Sequence, residues 1–360
     1  MGDNGGLSTL APMPDIAAYA PLAEVVRGPA VESVHLGAVA VVDRGGRVLR
    51  ATGDPYLLTY TRSALKPLQA LPFAAGGGIE RFGFSVPQVA LMCASHSGEP
   101  RHVEAVADML ARCGCAEGDL QCGTHAPGFY EARGEVPPPP PYSPLQHNCS
   151  GKHSGMLAYC VQHGLPTGDY LAFDHPLQRA IRDAVSRFTG IASERLVAGI
   201  DGCSAPNYAV PLASLATAFA RLASAEVDAD YGIAPRALAN AMTAHPEMVS
   251  GERRSDLALM QAGRGDWVTK IGAEGVQAIG VRSAGLGIAI KVADGAKRGL
   301  YPAIVAVLEA LGLVDRHARE RLAPWASRTV RNYRGIETGE IRPAVVLRDF
   351  RPQVSAFSDA

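Results

Sequence analysis

Toward the C-terminal end of the chain three apolar runs follow one another: WVTKI (residues 267–271), VQAIGV (276–281) and LGIAIKV (286–292), separated by short glycine-containing joints. Period-two or continuous apolar runs of this length between turn signals are read as strands, so this region is a β-meander. A matching signal stands near the other end. Residues 34–42 read as a strand, DRGG as a turn and VLRAT as the returning strand of a hairpin. Between these ends the period is helical. Arg101 to Cys113 is amphipathic; Leu177, Ile181, Val185 and Phe188 mark a helix opened by Asp174 and closed by Gly190; Leu212, Leu215, Phe219 and Leu222 repeat the spacing. A last helix is expected from about residue 301 to 311. Hairpin, helical middle, meander and closing helix predict a mixed α/β protein with an antiparallel sheet. Residues 1–20 are rich in Gly and Pro and are expected to be poorly ordered, leaving 21–350 as a single domain.

Several function classes drop out on bulk properties. A formal net charge of −1 gives no basis for bulk attraction to nucleic acid or a membrane surface. No run of about 18 apolar residues occurs. The opening MGDNGGLSTLAPMPD lacks a signal peptide's basic flank and apolar core, and Gly6 stands where myristoylation needs Ser or Thr. A soluble cytoplasmic protein is the expectation. Seven cysteines, an odd number in a chain too long to need staples, fit reduced thiols better than a disulfide framework. The spacing of Cys113, Cys115 and Cys122 is not that of a zinc knuckle, and VPPPPPYSP reads as an extended spacer.

Lysine usage is sharper. Lysine and arginine together number 34, yet only Lys66, Lys152, Lys270, Lys291 and Lys297 are lysines. Arginine is effectively never deprotonated, whereas a desolvated lysine becomes a neutral base or ligand. Lys66 completes Ser63-Ala64-Leu65-Lys66, the one S-x-x-K in the sequence. With Ser63 at the start of a helix, positions i and i+3 share a face, so the amine can take the hydroxyl proton. Penicillin-binding proteins and class A β-lactamases use this spacing. By itself it recurs by chance about once in such a chain, and an N-cap serine followed by a solvated lysine is the plain alternative. Lys270-Ile271-Gly272 partly matches the K-T-G strand on the opposite wall of such clefts, with Ile in place of the hydroxyl residue.

Two further joints carry reactive groups. Cys93-Ala94-Ser95-His96-Ser97 closes an apolar run, although adjacent Ser95 and His96 need not face each other. Asn148-Cys149-Ser150-Gly151-Lys152-His153 opens a helix, and Asp201-Gly202-Cys203 follows a strand. Cys149 and Cys203 could meet on a soft divalent ion, with Lys152, His153 or water completing the set, and chemistry alone favours His153 because a lysine ligand must first be neutral. Two buried small hydrophobes are the competing reading.

Taken together, EVVRGPAVESVHLGAVAVVD, RSALKPLQA, LMCASHSGE, HNCSGKHSGML, DGCSAPNYAVPL, HPEMVSGE, KIGAEGVQAIGV and GLGIAIKVADG resemble the thermolabile, Rhizobium-type L-asparaginases over roughly residues 22 to 345. The resemblance implies an α/β/α arrangement around an antiparallel sheet, similar to serine glutaminases and β-lactamases, a single amidohydrolase domain, and a homodimer. It implies two Ser–Lys pairs, Ser63 with Lys66 and Ser95 with Lys270. It also implies one zinc per chain on Cys149, Lys152 and Cys203, with water in the open position. Arg62 and Asp201 match positions at the substrate, L-asparagine, with His153 beside them. Ser204 departs from the Gly or Asn common there, and the penta-proline loop is peculiar to this chain. Two other readings compete: a thiol amidohydrolase using Cys149 with His153, and a non-catalytic zinc-binding or redox-sensing module.

Overall fold

The structure, a computed structural model, describes residues 15–224 and 226–351. Twelve strands are described: β1 Ala20–Arg27, β2 Ala30–Asp43, β3 Val48–Thr52, β4 Leu58–Tyr60, β5 Val197–Ile200, β6 Pro206–Pro211, β7 Trp267–Gly272, β8 Val276–Val281, β9 Leu286–Val292, β10 Arg328–Arg331, β11 Glu337–Pro343 and β12 Arg348–Asp349. The main sheet runs β10-β11-β1-β2-β9-β8-β7, with β3 added to β2 and β12 to β3; β4-β6-β5 form a smaller sheet. Every pairing between these strands is antiparallel. The length of β2 explains the layout. Ala30–Gly37 pair with β1, Val39–Val42 pair with β3 on that edge, and Gly37–Asp43 pair with β9 on the other.

Side-chain alternation assigns the two faces. Ala38, Ala40, Val42, Ala278 and Ala289 share a cluster with helix Leu212–Ala223, while Val39, Val41, Ile279, Ile288 and Ile290 pack with helix Lys297–Ala310. The alanines let the first helix come close. At Gly287 a Cβ would lie 1.9 Å from the Ala216 carbonyl oxygen, so only glycine fits. Helices on both faces of an antiparallel sheet make the expected α/β/α sandwich.

The meander and the β2–β3 hairpin lie where the sequence puts them, but local details differ. Of the segment expected to lack order, residues 1–14 lie outside the described residues, whereas Ile16–Ala18 form a 3₁₀ turn and β1 starts at Ala20. Helix Pro176–Thr189 is capped by His175, whose ring accepts from Leu177 N, rather than by Asp174; Gly190 closes it as expected, at φ 75°. Ser63 caps nothing: it lies inside a 3₁₀ turn, Arg62–Leu65, that leads into helix Lys66–Ala75. No described helix is long and apolar enough to cross a membrane.

Candidate active site

The turn after β4 is built under strain. Arg62 has φ 49°, in the left-handed region that costs a non-glycine residue of order 1–3 kcal/mol. Neighbours hold it there. Arg62 N donates to Asn207 Oδ1 and Asn207 Nδ2 donates back to Arg62 O, each at 3.1 Å. Thr61 N donates to Tyr208 O at 3.0 Å. On the other side β7 closes in: a Cβ on Gly272 would lie 2.8 Å from the Thr61 carbonyl oxygen. The glycine of Lys270-Ile271-Gly272 thus lets β7 lie against the turn that carries Ser63.

Beyond the turn the Lys66 side chain enters the interior and is only 1% exposed. Its Nζ donates to Ala94 O at 2.5 Å, Ser95 Oγ at 2.9 Å and Asn148 O at 3.2 Å. From β7, Lys270 Nζ reaches the same Ser95 Oγ at 3.0 Å and Ile271 O at 2.9 Å. Ser95 is buried, with its N–H on Val249 O at 2.9 Å. One hydroxyl therefore sits between two lysine amines. Ser95 and Lys270, 175 positions apart, are brought together. Ser63 and Lys66 share one turn, but no hydrogen bond joins their side chains, because the inward stem places the amine on Ala94, Ser95 and Asn148. Half-buried Ser63 is the more accessible of the two serines.

Beneath Lys270 lies a carboxylate that the sequence reading missed. Asp256, fully buried, stands 3.6 Å from Lys270 Nζ. It accepts from Thr269 Oγ1 at 3.0 Å, Ile271 N at 2.9 Å and Gln277 Nε2 at 3.0 Å. Burial pushes the Lys270 amine down to about 8; Asp256 pulls against this, while the charges of Lys66 and Arg254 add to it. The one trace of Asp256 in the sequence is a carboxylate in SDLALMQA, a helix otherwise short of charge.

The second cluster joins the start of helix Ser150–Gln162 to the loop after β5. Lys152 Nζ donates to Cys203 Sγ at 2.9 Å, and both residues are buried with Cys149. A hydrogen bond from Cys203, then the charges of Lys66 and Lys152, hold the Cys149 thiol well below its ordinary value against the cost of burial. No hydrogen bond joins His153 to Cys149. Its Nδ1 is 2.7 Å from Tyr170 Oη, and burial, with the charge of Lys152 adding, pushes it down to about 4 against an upward pull from Cys203. The Cys149–His153 dyad of a thiol hydrolase is therefore not assembled. Among the described residues no group of three or more His, Cys, Asp and Glu side chains is arranged to hold a metal, so any site here depends on the lysine. Two sulfurs with an amine nitrogen are a donor set that suits zinc.

Between the clusters, Asp201 accepts from Arg62 Nε at 2.8 Å and from Gly202 N at 2.9 Å. Burial works to raise its carboxyl, but Arg62 and Gly202 outweigh that and hold it below its ordinary value. An ionised carboxylate beside a guanidinium provides opposite charges for the two ends of an amino acid. Ser204, beside Cys203, adopts φ 67°. His96 points away from Ser95: its Nε2 meets Ser150 Oγ at 2.9 Å and its Nδ1 accepts from Gly98 N at 3.1 Å.

Comparison with known proteins gives one family. Residues 23–343 match the family described as L-asparaginase II. No curated protein matches. Among solved structures, Mglu in its native form in the presence of 4.3M NaCl is similar over 78% of this chain, at 16% identity and a TM-score of 0.41; the chain spans 62% of that protein's length. A β-lactamase from Mycobacterium bovis is similar over 77% of this chain and 95% of its own, at 17% identity and a TM-score of 0.41.

Proposed function

The chain belongs to the L-asparaginase II family and is a hydrolase acting on an amide C–N bond; from that premise we propose that it converts L-asparagine to L-aspartate and ammonia through a serine activated by lysine. The observation that carries this reading is the placement of two buried lysine amines on the one Ser95 hydroxyl. Burial, with the charge of Lys66 adding to it, lowers the Lys270 amine, and a neutral amine beside a hydroxyl is the general base such chemistry needs.

Ser63 attacks the side-chain amide carbon, since it is the serine that substrate can reach. Lys66, whose amine rests on Ala94 O, Ser95 Oγ and Asn148 O, turns to Ser63 to take its proton, and Ser95 relays a proton to the departing nitrogen, which leaves as ammonia. Water then adds to the acyl-enzyme, its proton returns through the same amines, and L-aspartate is released. Asp201 holds the substrate's α-ammonium and Arg62 its α-carboxylate, with His153 close behind. Cys149, Lys152 and Cys203 would hold one zinc, which would orient bound groups as a Lewis acid. The enzyme works as a cytoplasmic homodimer, and sedimentation velocity measures its oligomeric state.

Ammonia release from a panel of amino-acid amides tests the substrate. L-Asparagine should exceed L-glutamine by about 100-fold, because one methylene displaces the amide by more than an ångström. An equal or faster glutamine rate overturns the assignment. Mass spectrometry of enzyme quenched during turnover should find the acyl group on the peptide containing Ser63. An adduct on the Ser95 peptide would exchange the roles of the two serines.

A further inference from the structure

Away from the serines and lysines lies a cavity of about 450 Å³ that includes none of Ser63, Lys66, Ser95, Lys270, Arg62 or Asp201. Five cations line it: Arg253, Arg254, Lys297, Arg298 and Arg328. Glu131 is the one carboxylate among its lining residues. Elsewhere this chain pairs its exposed arginines with carboxylates, as in Arg27–Glu32, Arg112–Asp108, Arg187–Asp228 and Arg331–Glu337. Here Arg253, Arg254, Lys297 and Arg328 make no ion pair among the described residues, while Arg298 donates to His35 Nε2 at 2.9 Å, with His35 in turn 2.7 Å from Asp294, and its charge also reaches Glu32. Crowding like charges costs free energy unless something of opposite charge shares the space.

Two other features favour an oxyanion as the missing partner. Lys297, Arg298 and Tyr301 belong to the first turns of the 14-residue helix Lys297–Ala310, whose N-terminus has no side-chain cap. Free N–H groups and the helix dipole at such an end favour negative charge. Trp325 and Tyr301, packed edge to face at 4.7 Å between centroids, also line the cavity. Arg253, beside Arg254 in the same loop, holds φ 58°.

We propose that this cavity is a binding site for a small, multiply charged oxyanion, separate from the amide-hydrolysis site. Oligophosphates and polycarboxylates share that chemistry. The site also has a physical route to catalysis: Arg254 lies two residues before Asp256, and its charge acts on Lys270.

Isothermal titration calorimetry on the full chain at low salt tests it, with inorganic triphosphate and citrate as probes. At least one should bind with one equivalent per chain, and which one binds separates the phosphate from the carboxylate source. The double variant Lys297→Glu/Arg328→Glu, at two exposed positions, should weaken binding at least about 10-fold. A control, Arg316→Glu/Arg319→Glu, carries the same change of net charge on exposed arginines outside the cavity and should bind like the parent. Absence of binding by both probes overturns the proposal. So does an equal loss in both double variants, which would mean attraction by net charge alone. A change of oligomeric state in Lys297→Glu/Arg328→Glu without anion binding to the parent also overturns it, by assigning the face to a second copy of the chain.

Discussion

Lys66 is one of five lysines in a chain whose other 29 Lys and Arg cations are arginines, taking 5 from 34. Lys66→Arg keeps the charge but removes any accessible neutral form, so turnover should fall at least about 100-fold with the fold intact, followed by ammonia release and circular dichroism. A folded variant retaining more than about a tenth of the rate would move the base elsewhere, Lys270 first. Asp256 acts one step further back. Lys270 feels the charges of Asp256, Lys66, Arg254 and Cys149, and burial lowers its amine to about 8. Asp256→Asn removes the upward pull, so the limb of the pH–kcat profile that rises near pH 8 should move to lower pH, while KM changes less. The same group affects stability. Because the Lys270 amine is lowered in the folded protein from 10.5 to about 8, the unfolded chain binds more protons across that window, and this residue's contribution to stability grows as pH rises through it. Urea denaturation at pH 7.5 and 9.5 measures the change, which Lys270→Met should remove. Ser63 and Lys66 were legible in a short motif and Lys270 in a partial one, whereas the pairing of Ser95 with Lys270 came from the family resemblance. Asp256 and Asn207 were not legible, since their work is done through contacts distant in sequence that only tertiary packing creates.

Among the elements, β7, β8, β9 and the β2–β3 hairpin stand out in sequence because most of their residues are apolar and most are buried. β10, β11 and β12 do not, because RTVR and ETGEIRP are mostly exposed and polar. The 3₁₀ turn in place of a serine cap follows from the Asn207 clamp on Arg62, a contact across 145 residues. Gly272→Ala tests the approach of β7 to that turn. A methyl 2.8 Å from a carbonyl oxygen must move one element, so stability should fall by about 1–3 kcal/mol and kcat should fall with it. The cysteine cluster also joins two elements, the start of helix Ser150–Gln162 and the loop after β5. Elemental analysis should find close to one zinc per chain, lost alike in Cys149→Ala and Cys203→Ala with a lower melting temperature. Metal-free protein of full activity and unchanged melting temperature would leave the thiols as packing.

At the scale of the whole molecule, the order of the strands could not be read from the chain, because strands near in sequence part company. β3 joins the large sheet and β4 the small one, six positions apart, while β1 and β11 pair as Val25 with Ile341. Both neighbours that β1 and β2 need on their outer edges, β11 and β9, come from the final third of the sequence. A nascent chain leaving the ribosome therefore carries its first hairpin, with open edges, through most of translation before the complementary strands emerge. Long-range antiparallel pairing of this kind folds slowly. A product terminated before residue 328 lacks β10 and β11, leaves the outer edge of β1 bare, and should collect in the insoluble fraction while full-length protein stays in solution.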